Sequence, residues 1–232
     1  MTQTSSIDIW TIPLGSPDHT LADSRALLSE IERSQADRFI FPEIQRRYVM
    51  AHAGLRRILA LYIPEKPEAI TYEINAFGKP ALAEHTTPGN IQFNLSHSGE
   101  LALVAVVRDR PVGVDVECIK PLTDHMRIAE RYFSPDEMFA LKLMDPSKSH
   151  EAFIQLWAGK EAFIKARGEG LSLPLSQFSL AELIEHPGKT SSKVKLPGYK
   201  TTWVVYIIKV MTGYLGAIAV KGAIRDIQYL EE

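Results

Sequence analysis

Two carboxylates in one short segment give this sequence its clearest chemical signal. Residues 112–117 read Val-Gly-Val-Asp-Val-Glu, an alternation that predicts a strand with Asp115 and Glu117 on the same face. Neighbouring carboxylates repel each other unless a positive charge lies between them, and hard divalent cations such as Mg²⁺ bind carboxylate oxygens. The segment is therefore a candidate half of a metal site, although a strand with one solvent-facing side would show the same alternation.

A third carboxylate, Glu161, lies between two lysines in the segment Trp157–Lys165. The apolar spacing predicts a helix over residues 150–167, on which Trp157, Glu161 and Lys165 share one stripe. Taken alone, Glu161 and Lys165 would most often form an exposed and weak ion pair. Lysines beside a carboxylate-bound cation would instead indicate a substrate that carries phosphates.

Further polar residues in the first half of the chain could contact an anion. A predicted strand at residues 91–95 leads into the predicted turn Ser96–Gly99, whose hydroxyl, imidazole and backbone N–H groups could hold a phosphate. An ordinary turn, with its hydroxyls bonded to its own backbone, is the alternative. Lys79 lies in another predicted turn. Arg47 lies on a helix predicted to begin at Pro42, as part of a solvated face or of an anion clamp.

The elements around these residues predict a mixed α and β chain. Helices are predicted over residues 21–33, 42–62, 123–132, 135–144 and 150–167. Strands are predicted over residues 7–14, 70–74, 91–95, 101–107, 112–117, 202–209 and 214–221. Ser134 and Glu137 have the spacing of a capping box at a helix start. The two halves on either side of Pro111 have similar element content, which suggests two related units.

Composition argues against several classes of protein. The 232-residue chain has a formal net charge of -2, which gives no case for nucleic-acid binding through bulk electrostatics. It has one cysteine, Cys118, so an intrachain disulfide is excluded. Its apolar runs are far shorter than the roughly 20 residues that a membrane-spanning helix needs, and residues 1–8 lack a signal-peptide pattern. We therefore expect a soluble cytoplasmic protein with no nucleic-acid or membrane partner.

Several common catalytic signatures are absent from the sequence. It has no phosphate-binding Gly-x-x-x-x-Gly-Lys loop, no Gly-x-Gly-x-x-Gly, no His-Glu-x-x-His and no Cys-x-x-Cys. A hydrolase built on Ser96, His97 and Asp115 is disfavoured, because there is no Gly-x-Ser-x-Gly elbow and the side chains of adjacent strand residues diverge.

Five short runs, taken in order, resemble the 4'-phosphopantetheinyl transferases of the larger, surfactin-synthetase-activating type. The matching runs occupy residues 77–80, 93–99, 112–117, 133–137 and 157–165. Each run is weak alone, but together they form a specific match. The resemblance implies an α+β fold in which two similar α/β subdomains, each an antiparallel sheet packed against helices, form a pseudo-dimer. We expect the subdomains to span residues 1–111 and 112–232.

The resemblance also implies an activity and its reactants. The family transfers the 4'-phosphopantetheine arm of coenzyme A to a serine of an apo acyl or peptidyl carrier protein, with Mg²⁺ as cofactor, and releases adenosine 3',5'-bisphosphate. This is the holo-[acyl-carrier-protein] synthase type of activity. The carrier would dock on an apolar surface within residues 118–145, and a fused pseudo-dimer would act as a monomer. Fatty-acid, polyketide and peptide pathways remain open.

Two other functions are alternatives to this transfer. The first is a metal-dependent hydrolase of a nucleotide diphosphate. The second is a module that binds a carrier protein or a nucleotide without catalysis. The presence of all three carboxylates together with Lys165 argues against the second alternative, because a binding module need not retain all four.

By the same resemblance, individual residues receive roles. Asp115, Glu117 and Glu161 would be the Mg²⁺ ligands. Asp115, Glu161 and Lys165 would be catalytic, with Glu161 as metal ligand, as general base for the carrier serine, or as both. Lys165 would contact the pyrophosphate, and Arg47 would lie near the 3'-phosphate. Coenzyme A would be contacted by Arg47, Lys79, Pro80, Asn94, Ser96, His97, Lys160 and Lys165.

Overall fold

The computed structural model of the protein describes residues 6–83, 90–122, 124–194, 196 and 201–232. Its helices are α1 (Leu21–Leu27), α2 (Glu30–Ala36), α3 (Pro42–Leu59), α4 (His125–Tyr132), α5 (Pro135–Leu143), α6 (Pro146–Arg167) and α7 (Glu182–Glu185). Its strands are β1 (Ser6–Pro13), β2 (Tyr72–Ile74), β3 (Pro80–Leu82), β4 (Ile91–Ser98), β5 (Leu101–Arg108), β6 (Val112–Cys118), β7 (Ser191–Val194), β8 (Trp203–Lys209), β9 (Tyr214–Lys221) and β10 (Asp226–Glu231).

The first sheet has the strand order β10-β1-β5-β4. Strands β1, β5 and β4 are antiparallel neighbours, whereas β10 pairs with β1 in parallel. Helix α3 packs against this sheet through Leu55 and Ile58, which share a buried apolar cluster with Phe93 and Val104. Fully burying a side chain of this size contributes about 1.5–3 kcal/mol, so this cluster holds the helix on the sheet.

The second sheet has the strand order β6-β9-β8-β7 and is antiparallel throughout. Helix α6 packs against it, with Leu156 and Phe163 in a buried cluster that includes Val205 and Ala217. The predicted closing hairpin is confirmed as β8 and β9. A four-stranded sheet packed against helices therefore occurs twice, which confirms the predicted α+β architecture with two similar subdomains.

The two sheets share a third apolar cluster. The three valines of β6 pack in this cluster with Ile9 of β1 and Leu103 of β5. Because alternate side chains of a strand point to opposite faces, Asp115 and Glu117 point away from this cluster and toward α6. The alternation seen in the sequence thus places both carboxylates at the helix that carries Glu161.

Helix boundaries differ from the prediction at several places, and α3 ends at Leu59 instead of residue 62. The predicted helix over residues 21–33 is two helices, because Ser29 begins a new one. The Ser29 hydroxyl accepts the Glu32 N–H, and the Glu32 carboxylate accepts the Ser29 N–H, which is a capping box. Helix α6 begins at Pro146, earlier than predicted, because the Asp145 side chain caps its first turn.

Several strands also differ from the prediction, and β3 and β7 were not predicted. Strand β4 continues to Ser98, so Ser96 and His97 lie in a strand and not in the predicted turn. The turn follows at Gly99, whose positive φ of 58° favours glycine. Strand β10 was missed because its side chains are mostly exposed and its partner lies at the other end of the chain. The last strand therefore joins the sheet of the first half, while the boundary after residue 111 stays a prediction.

None of the described helices combines the length and the apolar character needed to cross a membrane. Two predictions fall on residues outside the described ranges. One is the start of a helix at Thr123, and α4 is described from His125 onward. The other is the polar N-terminal segment 1–8, of which residues 6–8 are described as part of β1.

Candidate active site

Strand β4 directs a row of polar side chains toward β6 of the other sheet. Asn94 Oδ1 accepts a backbone N–H of β6 at 2.8 Å. Ser96 Oγ donates to Asp115 Oδ1 at 2.8 Å, and Ser98 Oγ donates to Glu117 Oε2 at 3.2 Å. Alternate residues of a strand share a face, so Asn94, Ser96 and Ser98 form one polar row that joins the two sheets at the carboxylates.

Lys165 of α6 completes this cluster. Its ammonium donates to Asp115 Oδ1 at 2.5 Å and to Ser96 Oγ at 2.9 Å. Asp115 is only 4% exposed, and its other oxygen, Oδ2, is buried without a hydrogen-bond partner among the described residues. The structure therefore brings Ser96, Asp115 and Lys165 together from three elements and leaves one buried carboxylate oxygen open.

Three carboxyl groups at this cluster resist ionisation. Burial raises the pKa of Asp115, and the Lys165 ammonium opposes that rise. Burial, and then the charge of Asp115, raise the pKa of Glu117, and the same two causes raise the pKa of Glu161. Both glutamates are therefore close enough to Asp115 to be repelled by it, a repulsion that a bound cation relieves.

The carboxylates at this cluster offer a divalent cation only part of the ligand set that it requires. Within the described ranges, no group of three or more His, Cys, Asp or Glu side chains is arranged to enclose a metal ion. Asp115 is held by Lys165, and Glu117 is held by a hydrogen bond from Ser98 and borders the same cavity as Trp157. Mg²⁺ commonly takes one or two carboxylates and fills its other positions with water and substrate phosphates. The open Asp115 Oδ2 and the repelled carboxylates fit such an ion.

Replacing Glu117 with glutamine is expected to stabilise the protein in the presence of a chelator. The folded pKa of Glu117 lies above its ordinary value of 4.5, so the wild type loses stability as pH rises through the window between these two pKa values. The variant avoids that loss. We expect a gain of about 1–3 °C in the unfolding midpoint near neutral pH and no gain near pH ~4, followed by circular dichroism. Equal shifts at both pH values would contradict ionisation of the Glu117 carboxyl as the cause.

Gly113 lets α6 lie directly on β6. A Cβ atom at this position would lie 2.1 Å from the carbonyl oxygen of Ala162 and 2.3 Å from the backbone nitrogen of Ala166. Only glycine permits this backbone approach. Glu161 and Lys165 directly precede these two alanines. The close approach therefore fixes the position, relative to β6, of the helix turn that carries them.

Basic side chains lie near the same cluster. Desolvation of the ring lowers the pKa of His97, and the neighbouring His52, Lys165 and Arg47 lower it further, although the residue keeps an exposed surface. Arg47 is paired with Glu100 at 2.6 Å. The cleft therefore collects positive charge, but Arg47 already has a carboxylate partner.

A cavity of about 250 Å³ opens between the two halves beside Lys165. Pro80 and Asn94 border this cavity together with Glu161 and Lys165. Lys79 also borders it, but its ammonium donates to three backbone carbonyls. Of the predicted coenzyme A contacts, Pro80, Asn94 and Lys165 thus share one space with the candidate base.

Lys160 was predicted to contact coenzyme A, and the structure corrects this prediction. Its side chain is wholly buried, 2.7 Å from Glu137 Oε2, and it donates to the carbonyl oxygens of Leu175 and Phe178 at 2.7 and 2.8 Å. Glu137 also closes the predicted capping box with Ser134, which is confirmed. All three ammonium donors are used inside the core, so Lys160 is a core residue.

Some contacts of the cluster were not predicted. No role was assigned to Ser98 or Glu100, and Trp157 was not recognised as a neighbour of Glu117. The alternation of Asn94, Ser96 and Ser98 could have revealed Ser98 if the strand had been extended to its true end. The ion pairs of Glu100 join residues that are distant in the sequence, so no local pattern indicates them.

Two protein-family models match the chain. The model described as 4'-phosphopantetheinyl transferase superfamily matches residues 111–219. The model described as 4'-phosphopantetheinyl transferase, N-terminal, matches residues 16–108. Together the two matches include β4 and β5 of the first sheet, most of the second sheet and helix α6, but not β1 or β10.

Similar proteins carry the same description. The 4'-phosphopantetheinyl transferase HetI of Nostoc sp. is 36% identical over 183 residues, which are 79% of this chain and 77% of HetI. The transferase psf-1 of Bacillus pumilus is 37% identical over 191 residues, covering 82% of this chain and 77% of psf-1. The transferase Sfp of Bacillus subtilis is 30% identical over 193 residues, covering 83% and 82%.

Proposed function

Since this chain belongs to the 4'-phosphopantetheinyl transferase superfamily, we propose that it transfers phosphopantetheine from coenzyme A to a carrier-protein serine at the cluster of Asp115, Glu161 and Lys165. One observation carries the assignment of the site. The Lys165 ammonium joins Asp115 of β6 to Ser96 of β4 at the edge of the cavity between the halves. A pyrophosphate entering this cavity would meet Lys165 and Glu161 together.

The transfer breaks one bond of the coenzyme A pyrophosphate. The serine oxygen of the carrier attacks the phosphorus that bears the pantetheine arm. The P–O bond toward the adenosine side then breaks, and adenosine 3',5'-bisphosphate leaves. We assign the serine proton to Glu161, because its raised pKa favours proton uptake. Lys165 is placed to stabilise the negative charge that develops on the leaving phosphate.

Asp115, Glu117 and Glu161 are the residues that we propose would hold Mg²⁺. When bound, the ion would neutralise charge on the pyrophosphate oxygens. The open Asp115 Oδ2 and the raised pKa values of the two glutamates support this assignment. The opposite oxygen, Asp115 Oδ1, stays with Lys165, so one carboxylate would serve both the ammonium and the cation.

Arg47 is our candidate for contact with the 3'-phosphate of coenzyme A. His97 lies near it and is influenced by its charge, so a phosphate there would meet two basic groups. Arg46 and Arg47 both pair with Glu100, at 2.7 and 2.6 Å. Hydrogen bonds from the two arginines lower the pKa of Glu100, although burial acts against this. Ion pairs this exposed are weak, so a doubly charged phosphate can displace Glu100.

Replacing Glu100 with glutamine is expected to raise the affinity for coenzyme A by about two- to five-fold, the range of a weak exposed ion pair. The cause is that the variant removes the carboxylate that competes with the 3'-phosphate for Arg47. Affinity for dephospho-coenzyme A, which lacks this phosphate, should not change. Calorimetry with both ligands measures the difference, and Glu43→Gln, on the helix that carries Arg47, controls for net charge. Equal gains for both ligands would contradict the competition.

The transferase type and its partner belong to the same proposal. We assign the larger, surfactin-synthetase-activating type, because similarity to Sfp of Bacillus subtilis covers 83% of this chain. The carrier would dock within residues 118–145, of which all but Thr123 are described. A second cavity of about 260 Å³ borders Glu117 and Trp157. Helix α5, within the same range, exposes 65% of Phe139 and 72% of Leu143, apolar surface that a docked carrier would cover.

The function is tested by mass spectrometry of an apo peptidyl carrier protein incubated with the enzyme, coenzyme A and Mg²⁺. We expect phosphopantetheine on the carrier serine, and none on a carrier with that serine replaced by alanine. A chelator should stop the reaction, and added Mg²⁺ should restore it. Free phosphopantetheine formed without a carrier would favour the hydrolase, and binding of coenzyme A without any product would favour the non-catalytic module.

A further inference from the structure

Lys79 has an unexpected position for a residue predicted to contact coenzyme A. Its ammonium donates to the carbonyl oxygens of Lys165 at 2.7 Å, Val112 at 2.9 Å and Ala166 at 3.2 Å. A lysine ammonium has three donors, and all three are used within the protein. In this arrangement Lys79 has no donor left for a phosphate.

Two of these carbonyls belong to the C-terminal end of α6. The last carbonyls of a helix lack partners within the helix and carry partial negative charge. The helix ends at Arg167, and the following residue, Gly168, is left-handed, with its N–H bonded to the Ile164 carbonyl. Lys79 supplies both the donors and the positive charge that the remaining carbonyls need, as cations near helix C-termini commonly do.

Asn75 binds the same helix end from the same loop. Its Nδ2 donates to the Gly168 carbonyl at 2.8 Å, while its Oδ1 accepts the N–H groups of Phe77 and Lys79, both at 2.9 Å. The Asn75 side chain therefore stabilises the turn that contains Lys79 and also binds that turn to Gly168, the residue after α6. The loop comes from the first half of the chain and the helix from the second.

We propose that Lys79 and Asn75 form a clamp that positions Lys165 for catalysis. Lys79 binds the backbone of Lys165, whose own ammonium binds Asp115. The third carbonyl that Lys79 binds is that of Val112, which begins the strand of Asp115. The clamp thus holds the last turn of α6, which carries Lys165, against the start of β6. This assignment rests on the proposed function and makes Lys79 a positioning residue instead of a coenzyme A ligand.

The Lys79→Met variant keeps the length of the side chain and removes its donors. It is best measured at about pH 7, below the pKa of about 8 to which burial lowers Lys79. We expect kcat for carrier labelling to fall about ten-fold, since misplacement by about 1 Å can cost up to about 100-fold. The Kd for coenzyme A, measured by calorimetry, should change less than about three-fold. Lys79→Arg, which keeps charge and donors, should recover part of the turnover.

A double-mutant cycle separates positioning from a general structural loss. If Lys79 acts through Lys165, adding Lys79→Met to Lys165→Ala should reduce single-turnover labelling by less than about two-fold further. Asn75→Ala removes the bond to Gly168 but no group that could bind a phosphate. It should lower turnover about three-fold in the wild type and leave the Lys165→Ala rate unchanged. Asn75→Ala also provides the test if circular dichroism shows that Lys79→Met does not fold.

Two results would overturn the clamp. The first is a Lys79→Met enzyme with normal kcat and weakened coenzyme A binding, which would make Lys79 a ligand. The second is full multiplication of the losses from Lys79→Met, or from Asn75→Ala, with that from Lys165→Ala. Failure of the proposed function would be distinct, because it would appear as an absence of labelling by the wild-type enzyme.

Discussion

The Asp115→Ala variant is expected to fold and to lose about 100-fold or more of its transfer rate. Asp115 Oδ1 accepts hydrogen bonds from Lys165 and Ser96, and its Oδ2 is the open buried oxygen. Its charge also raises the pKa values of Glu117 and Glu161, after burial. The substitution therefore frees the lysine, removes a candidate metal ligand and makes Glu161 a weaker base. All three changes act on kcat, which labelling of an apo carrier measures.

Retention of the fold by this variant follows from its surroundings. The Lys165 side chain is 29% exposed, so water can solvate the ammonium once its partner is removed. The substitution also removes a buried acid whose ionisation is costly. We expect the free energy of unfolding, measured in urea, to change by no more than about 1–2 kcal/mol.

Asp115→Asn is the matched variant for the charge of this residue. It keeps the shape and an acceptor oxygen for Ser96, and it removes only the negative charge. We expect it to lose nearly as much turnover as the alanine variant. A wild-type rate in Asp115→Asn would show that hydrogen bonding, and not charge, is what the site needs from this residue.

The carboxylate strand could be predicted because its information is local. Alternation with buried valines requires only that one face of β6 be covered, and the third cluster covers it. The residues that contact the opposite face of β6 are distant from it in the sequence. Ser96 and Lys165 reach Asp115 from other elements, and the close approach at Gly113 depends on a helix backbone that no strand pattern reveals. The type of chemistry could therefore be predicted from the sequence, whereas the residues that contact each carboxylate could not.

The helical period distinguishes the two lysines of the motif in α6, Lys160 and Lys165, although the motif itself does not. Lys165 follows Glu161 by one helical turn, so the two side chains share a face. Lys160 precedes Lys165 by five positions, which at about 100° per residue turns it roughly 140° away. Two lysines so placed cannot both reach one cleft. The resemblance gave both the same role, while the helix geometry sends Lys160 into the core.

The Lys160→Met variant is expected to lower the free energy of unfolding by about 3–5 kcal/mol, the cost of leaving one partner of a buried ion pair uncompensated. Glu137 is as fully buried as Lys160, and the two lie 2.7 Å apart. The variant also leaves the carbonyl oxygens of Leu175 and Phe178 without their donor. Urea unfolding followed by circular dichroism measures the loss.

Two further variants test the cause of this loss in the free energy of unfolding. Adding Glu137→Gln to Lys160→Met removes the unpaired charge and should recover part of the stability, because the amide oxygen can still accept the Ser134 N–H. Lys142→Met, which removes an exposed lysine 3.9 Å from Glu130, should cost less than about 1 kcal/mol. If Lys160→Met instead unfolded like the wild type and bound coenzyme A more weakly, the lysine would have to leave the core to reach the ligand. Its pairing with Glu137 would then belong to only one of two states of the helix.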